Sequence, residues 1–120
     1  MVHGILFQGS VILFNKLDNL DKFKRILSIP QEGFRAGVLK KFSLTDEENE
    51  AEELLFVYDV DHNIQYKTKI INVFVAKTYG EYFFQPTSWE MIYITIQNKE
   101  LLVTADGGSR AVLVKDVLYR

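Results

Sequence analysis

From Met91 to Ala105 the chain reads MIYITIQNKELLVTA, with apolar residues at every second position on both sides of Asn98-Lys99. With Asn98-Lys99 as a two-residue turn, Ile96 faces Leu101, Ile94 faces Val103 and Ile92 faces Ala105. Every inward side chain then meets an apolar partner, which is how a hairpin buries one face. Lys99 is a poor residue for the positive φ such a turn demands, so a longer loop stays open as an alternative.

The same period of two recurs through the chain. Residues 4–14 read as a strand with Gly9-Ser10 as a bulge or bend, and Val38–Leu44, Leu54–Val60, Ile64–Ala76, 81–85 and Arg110–Val114 read as further strands. Pro86 ends the strand at 81–85, Asp61-His62-Asn63 is a turn, and Ile29–Gly37 is a loop punctuated by Pro30, Gly33 and Gly37. One segment has helical spacing instead. Over Leu17–Ser28, Leu17, Leu20, Phe23, Ile26 and Leu27 share half of the helical wheel, with Asp18, Asp21, Lys22 and Arg25 opposite. Thr45 followed by Glu48 makes a capping box, so the acidic run beginning there can start a short helix solvated on nearly every side, or else form a mobile loop.

Short turns between adjacent strands imply antiparallel pairing. The expected fold is α+β: a small, mainly antiparallel β-barrel or strongly curled sheet with one covering helix. No repeat or linker interrupts the 120 residues, so residues 1–120 are expected to form a single domain. A chain of this length buries roughly two-thirds of its unfolded surface, and 48% hydrophobic content suits that. There is no cysteine, which removes disulfides, thiolate metal sites and cysteine nucleophiles together. No apolar run reaches the roughly 18–20 residues of a membrane span, and the N-terminus lacks the pattern of a signal peptide. A cytoplasmic location without membrane contact is expected.

Charge is unevenly placed. Net charge is −2, yet residues 46–53 hold six of the sixteen acids and no base. The remainder is mildly basic, with fourteen basic residues against ten acids. Ile64–Phe84 adds three lysines and six aromatics within one alternating stretch. These features define a candidate nucleic-acid surface: Lys67, Lys69, Lys77, Tyr79, Tyr82 and Tyr93, joined by Arg25, Arg35, Lys40 and Lys41. Rings stack on bases and cations follow phosphates, and strands supply both by alternation. The plainer reading turns the aromatics inward and leaves the lysines to keep a sheet edge soluble.

Other candidates carry less. Asp106–Arg110 can form an anion-binding nest, but it lacks phosphate-loop spacing and precedes a strand, as an ordinary turn does. Asp59, Asp61 and His62 can hold a divalent metal weakly, or form a polar turn, and His3 lies far away in sequence. Trp89 suits a partner hot spot or a core cap. No nucleophile elbow or paired base supports hydrolysis, so no catalytic residue, metal or cofactor is assigned.

The order GSVILF, LDNLDKFKRILS, IPQEGFRAG and then successive strands from Val38 resembles that of the PUA-like small mixed barrels, including the PrgU-type plasmid-borne regulators of Gram-positive bacteria. The resemblance implies an RNA or modified-base groove between helix, loop and strands, flanked here by Arg25, Arg35, Lys40 and Lys41. The leading expectation is thus a non-enzymatic RNA-binding regulatory protein. The alternative is a protein-binding module, such as an immunity protein, inhibitor or adaptor. It would engage a basic partner through residues 46–53 and exposed aromatics, or another copy through an open sheet edge.

Overall fold

A computed structural model of the chain describes residues 22–60, 66–87, 90–107 and 112–120. Among them, strands β1 (Lys24–Arg25), β2 (Phe34–Arg35), β3 (Lys40–Ser43), β4 (Glu53–Val60), β5 (Lys67–Asn72), β6 (Tyr82–Phe84), β7 (Glu90–Gln97), β8 (Glu100–Gly107) and β9 (Val112–Tyr119) form two sheets. Helix α1 (Asp46–Asn49) precedes β4, and α2 (Val73–Tyr79) follows β5 directly. One sheet runs β1-β9-β4-β5, with β2 also on β9; the other runs β3-β8-β7-β6. All pairings are antiparallel. The chain is therefore a small α+β protein dominated by antiparallel sheet. The expected barrel is corrected, because among the described residues each sheet ends in edge strands and neither closes on itself.

The expected hairpin register is found: Ile96 pairs Leu101, Ile94 pairs Val103 and Ile92 pairs Ala105. Asn98 and Lys99 take φ of 52° and 58°, so the two-residue turn forms despite the lysine. Ile92, Ile94, Leu101 and Val103 are fully buried, each worth roughly 1.5–3 kcal/mol of burial before entropy. The sheets meet across these inner faces. Phe34 contacts Phe42 at 4.7 Å between ring centroids, and Phe84 contacts Tyr58 at 5.6 Å and Phe56 at 6.3 Å. Buried residues of both sheets form one cluster.

Three expected elements change. The helix over Leu17–Ser28 does not extend through residues 22–28: Lys24 and Arg25 pair with Tyr119 and Leu118, and a turn follows. Ile26 and Ile29 are buried, so an apolar spacing of three is met by a turn, while Leu27 is 78% exposed. The loop Ile29–Gly37 contains β2. Gly33 sits there at φ 81°, where a Cβ would press into the Val114 carbonyl oxygen and the Lys115 backbone. That close approach lies beside a bulge, since the β4–β9 register shifts between Val57 and Tyr58. Finally, the strand expected over Ile64–Ala76 stops at Asn72. The Asn72 side chain accepts from Val75 N–H at 3.0 Å and starts α2, Val73 and Ala76 turn inward, and Gly80 closes it at φ 84°. The last strand is longer than expected, reaching Tyr119. The strand at 4–14, the start of the expected helix, His3, Asp61, His62, Trp89 and the turn residues 108–110 lie outside the described residues.

Candidate functional site

The ten residues proposed as a nucleic-acid surface do not share one face. Arg25 and Arg35 stand on the β1 and β2 edge of the five-stranded sheet, opposite Leu118 and Leu113. Arg25 is committed internally, to Asp116 at 2.8 Å and the Pro30 carbonyl at 2.6 Å. Lys67 and Lys69 lie on the opposite edge strand, sharing the inward face with Tyr58 and Phe56. Lys40 and Lys41 lie on β3, an edge of the second sheet, and as neighbours in a strand they point to opposite faces. Edge strands thus carry four of the lysines, where charge discourages unwanted pairing. Tyr82 opposes Ile94 on the inner face and packs against the core. Tyr79 is 77% exposed at the end of α2, and Lys77 of the same helix donates to the Asn49 carbonyl.

The outer face of the four-stranded sheet brings together something different. Alternation places Phe83, Tyr93 and Thr104 in one row, and Lys41, Leu102 and Thr95 in the next. Phe83 is 58% exposed, and its ring centroid lies 6.2 Å from that of Tyr93 at 45°. Tyr93 donates its hydroxyl to Asp106 at 3.1 Å, and this bond, with burial and the charges of Asp106 and Glu81, raises its pKa. Glu81 and Asp106 stand beside the two rings, whereas Lys41 lies one row and Glu100 two rows farther along the same face. The surface pairs two aromatic rings with two adjacent carboxylates. Such a face can stack on flat or aliphatic groups and draw cations over the rings. Phe83 was not among the residues expected to act. The signal was present in the triplet Tyr82-Phe83-Phe84, whose middle member must face away from its two neighbours.

The acidic run is folded into the molecule rather than held out from it. The expected capping box is present, with Glu48 N–H donating to Thr45 Oγ1 at 3.2 Å and Thr45 N–H to Glu48 Oε1 at 2.8 Å. The expectation of a helix solvated on nearly every side is corrected, because Glu48 is buried and also accepts from Leu27 N–H at 2.9 Å. Asp46 pairs with Lys99 and Glu53 with Arg120 at 2.7 Å. Glu47 accepts from the Tyr119 hydroxyl at 2.5 Å and from Lys24 at 3.3 Å. These two partners, tyrosine first, hold its carboxyl below the usual range, and the same hydrogen bond pushes Tyr119 up to about 12. Lys99 similarly lowers Asp46. Asp46, Glu47, Glu50 and Glu52 are all exposed, the first two while making these contacts.

Beside this helix runs a groove of about 550 Å³, lined by Lys22, Lys24, Glu47, Glu50, Tyr119 and Arg120 among others. Its charges are mixed, and Arg120 stacks over Phe23 at 4.3 Å while pairing with Glu53. Among the described residues, no group of three His, Cys, Asp or Glu is placed to hold a metal ion, and no helix is long and apolar enough to cross a membrane. No protein-family model, curated protein or solved structure matches the chain.

Proposed function

We propose that this chain is a non-enzymatic protein-binding module that receives a basic, partly apolar segment on the outer face of its four-stranded sheet. The observation that carries the reading is the exposed Phe83 ring against half-buried Tyr93, with the carboxylates of Glu81 and Asp106 beside them. Aromatic anchors surrounded by polar residues supply most of the energy at protein interfaces, and complementary charge speeds encounter and selects the partner. Glu81 and Asp106 beside the rings favour lysine or arginine over a phosphate backbone. The acidic run contributes less than its composition suggests, since Asp46, Glu47, Glu48 and Glu53 have partners within the fold.

Selection from a random twelve-residue peptide display library tests the proposal. Recovered sequences should combine Lys or Arg with aromatic or branched residues. Phe83→Ser should weaken them by about tenfold or more, as loss of an interface anchor does, while Lys41→Ala leaves them unchanged. Peptides whose binding ignores Phe83 would remove the assignment. Filter binding of an RNA pool at two salt concentrations provides the other arm. Salt-sensitive retention that disappears with Phe83→Ser would give this face to RNA, in keeping with the PUA-like resemblance.

A further inference from the structure

We propose that the open edge of β5 accepts a second polypeptide as an added strand, and that the accepted segment alternates acidic with aliphatic residues. This surface is separate from the Phe83–Tyr93 face and does not depend on that reading. β5 ends the five-stranded sheet: it pairs with β4 over six residues, and no further strand joins it among the described residues. Its outward N–H and C=O groups form a regular row, the template used when an extended peptide extends a sheet.

The register specifies the side chains of the guest. Lys67 and Lys69 lie on one face, opposite Tyr58 and Phe56, and Thr68 and Ile70 lie on the other, opposite Val57 and Leu55. Neither lysine has a carboxylate partner among the described residues, and Ile70 is 45% exposed. A guest with Glu or Asp at alternate positions sets its carboxylates beside both lysines, while the intervening aliphatic residues cover Ile70. Opposite charges across a ladder attract and like charges repel. A second copy of this chain is therefore the wrong guest. In a two-fold antiparallel pair, four lysines, two from each copy, would share one face of the joined ladder. The charges that block self-association thereby select an acidic stranger. The other edges differ: β3 puts Lys40 and Lys41 on opposite faces, and β6 has three residues.

The probe is a nine-residue peptide alternating glutamate and valine, added to the isotope-labelled 120-residue chain. Amide hydrogen exchange should slow within residues 67–72, and a lysine–valine peptide should bind at least about tenfold more weakly, because its charges meet Lys67 and Lys69. The double variant Lys67→Glu, Lys69→Glu should invert this preference. If it does not fold, the two peptides on the natural chain still report the charge dependence. N-methylation of the glutamate–valine peptide along one edge should abolish binding, since strand addition needs those N–H groups. Equal binding of both peptides, binding that survives both when one peptide edge is N-methylated and when the other is, or protection at Phe83–Tyr93 with β5 unchanged would each overturn the proposal.

Discussion

The carboxylate of Glu48 lies 2.9 Å from the backbone nitrogen of Leu27, twenty-one residues earlier in the chain. The residue that closes the capping box of α1 therefore also holds the turn after β1, tying an edge of the five-stranded sheet to the start of β4. Glu48→Ala would leave the amides of Leu27 and Thr45 without their acceptor in a part-buried place. The expected loss is about 2–4 kcal/mol in urea unfolding, from two charge-assisted hydrogen bonds at ~1.5–3 kcal/mol each, less relaxation. Glu48→Gln retains one acceptor oxygen and should fall between this variant and the natural chain.

Glu47 and Tyr119 make a second tie to the same helix, and its pH dependence can be signed. Glu47 has a lowered folded-state pKa, so its contribution is present above the ordinary carboxylate range and is lost as pH falls through the folded value. Asp46, lowered by Lys99, behaves likewise. Tyr119 is raised to about 12 from 10.0, so its contribution is complete below pH 10 and disappears as pH rises through 12. Unfolding midpoints of the natural chain and Glu47→Gln should therefore differ at neutral pH and converge in acid. A constant difference from neutral to acid pH would show that the carboxylate charge has no part in the contact.

Helix α2 begins where a strand would be drawn from Val73-Phe74-Val75. Its N-terminus depends on Asn72, so Asn72→Ala should cost about 1 kcal/mol, the usual loss of a capping side chain. Gly80→Ala meets no neighbouring atom but forces an alanine to φ 84°, costing about 1–2 kcal/mol through the backbone alone. Amide exchange across residues 73–79 should quicken in both variants, with β4 unaffected.

Residues 90–107 were legible because alternation and turn chemistry agree there, and local preference and burial select the same register. Leu17–Ser28 was misread over its second half because a spacing of three satisfies both a helix and a turn. The deciding partners, Asp116, Tyr119 and Glu48, lie far along the chain. β2 consists of two residues whose pairing with β9 depends on Gly33 packing against a bulge, which no local window contains. The candidate surface dispersed for a related reason. Composition counts lysines and tyrosines, but the order of strands in two sheets decides which of them share a face. That order put Lys41 and Tyr93 on one face, and set Arg25, Arg35, Lys67 and Lys69 on the edges of the other sheet.

Phe83 and Phe84 are consecutive and identical in chemistry, yet they stand on opposite faces of β6. Phe84 is buried against Phe56 and Tyr58, whereas Phe83 lies open beside Tyr93. Phe84→Ala removes a ring from the contact between the sheets and should cost about 3–5 kcal/mol, transfer and cavity together. Phe83→Ala removes mostly solvated surface and should change stability by less than about 1 kcal/mol, part of an aromatic pair worth ~0.5–1.5 kcal/mol. Urea unfolding of the two variants side by side measures the difference. Similar losses would mean that the outer face of the four-stranded sheet is covered, and Phe83 could not then serve as an anchor for a partner.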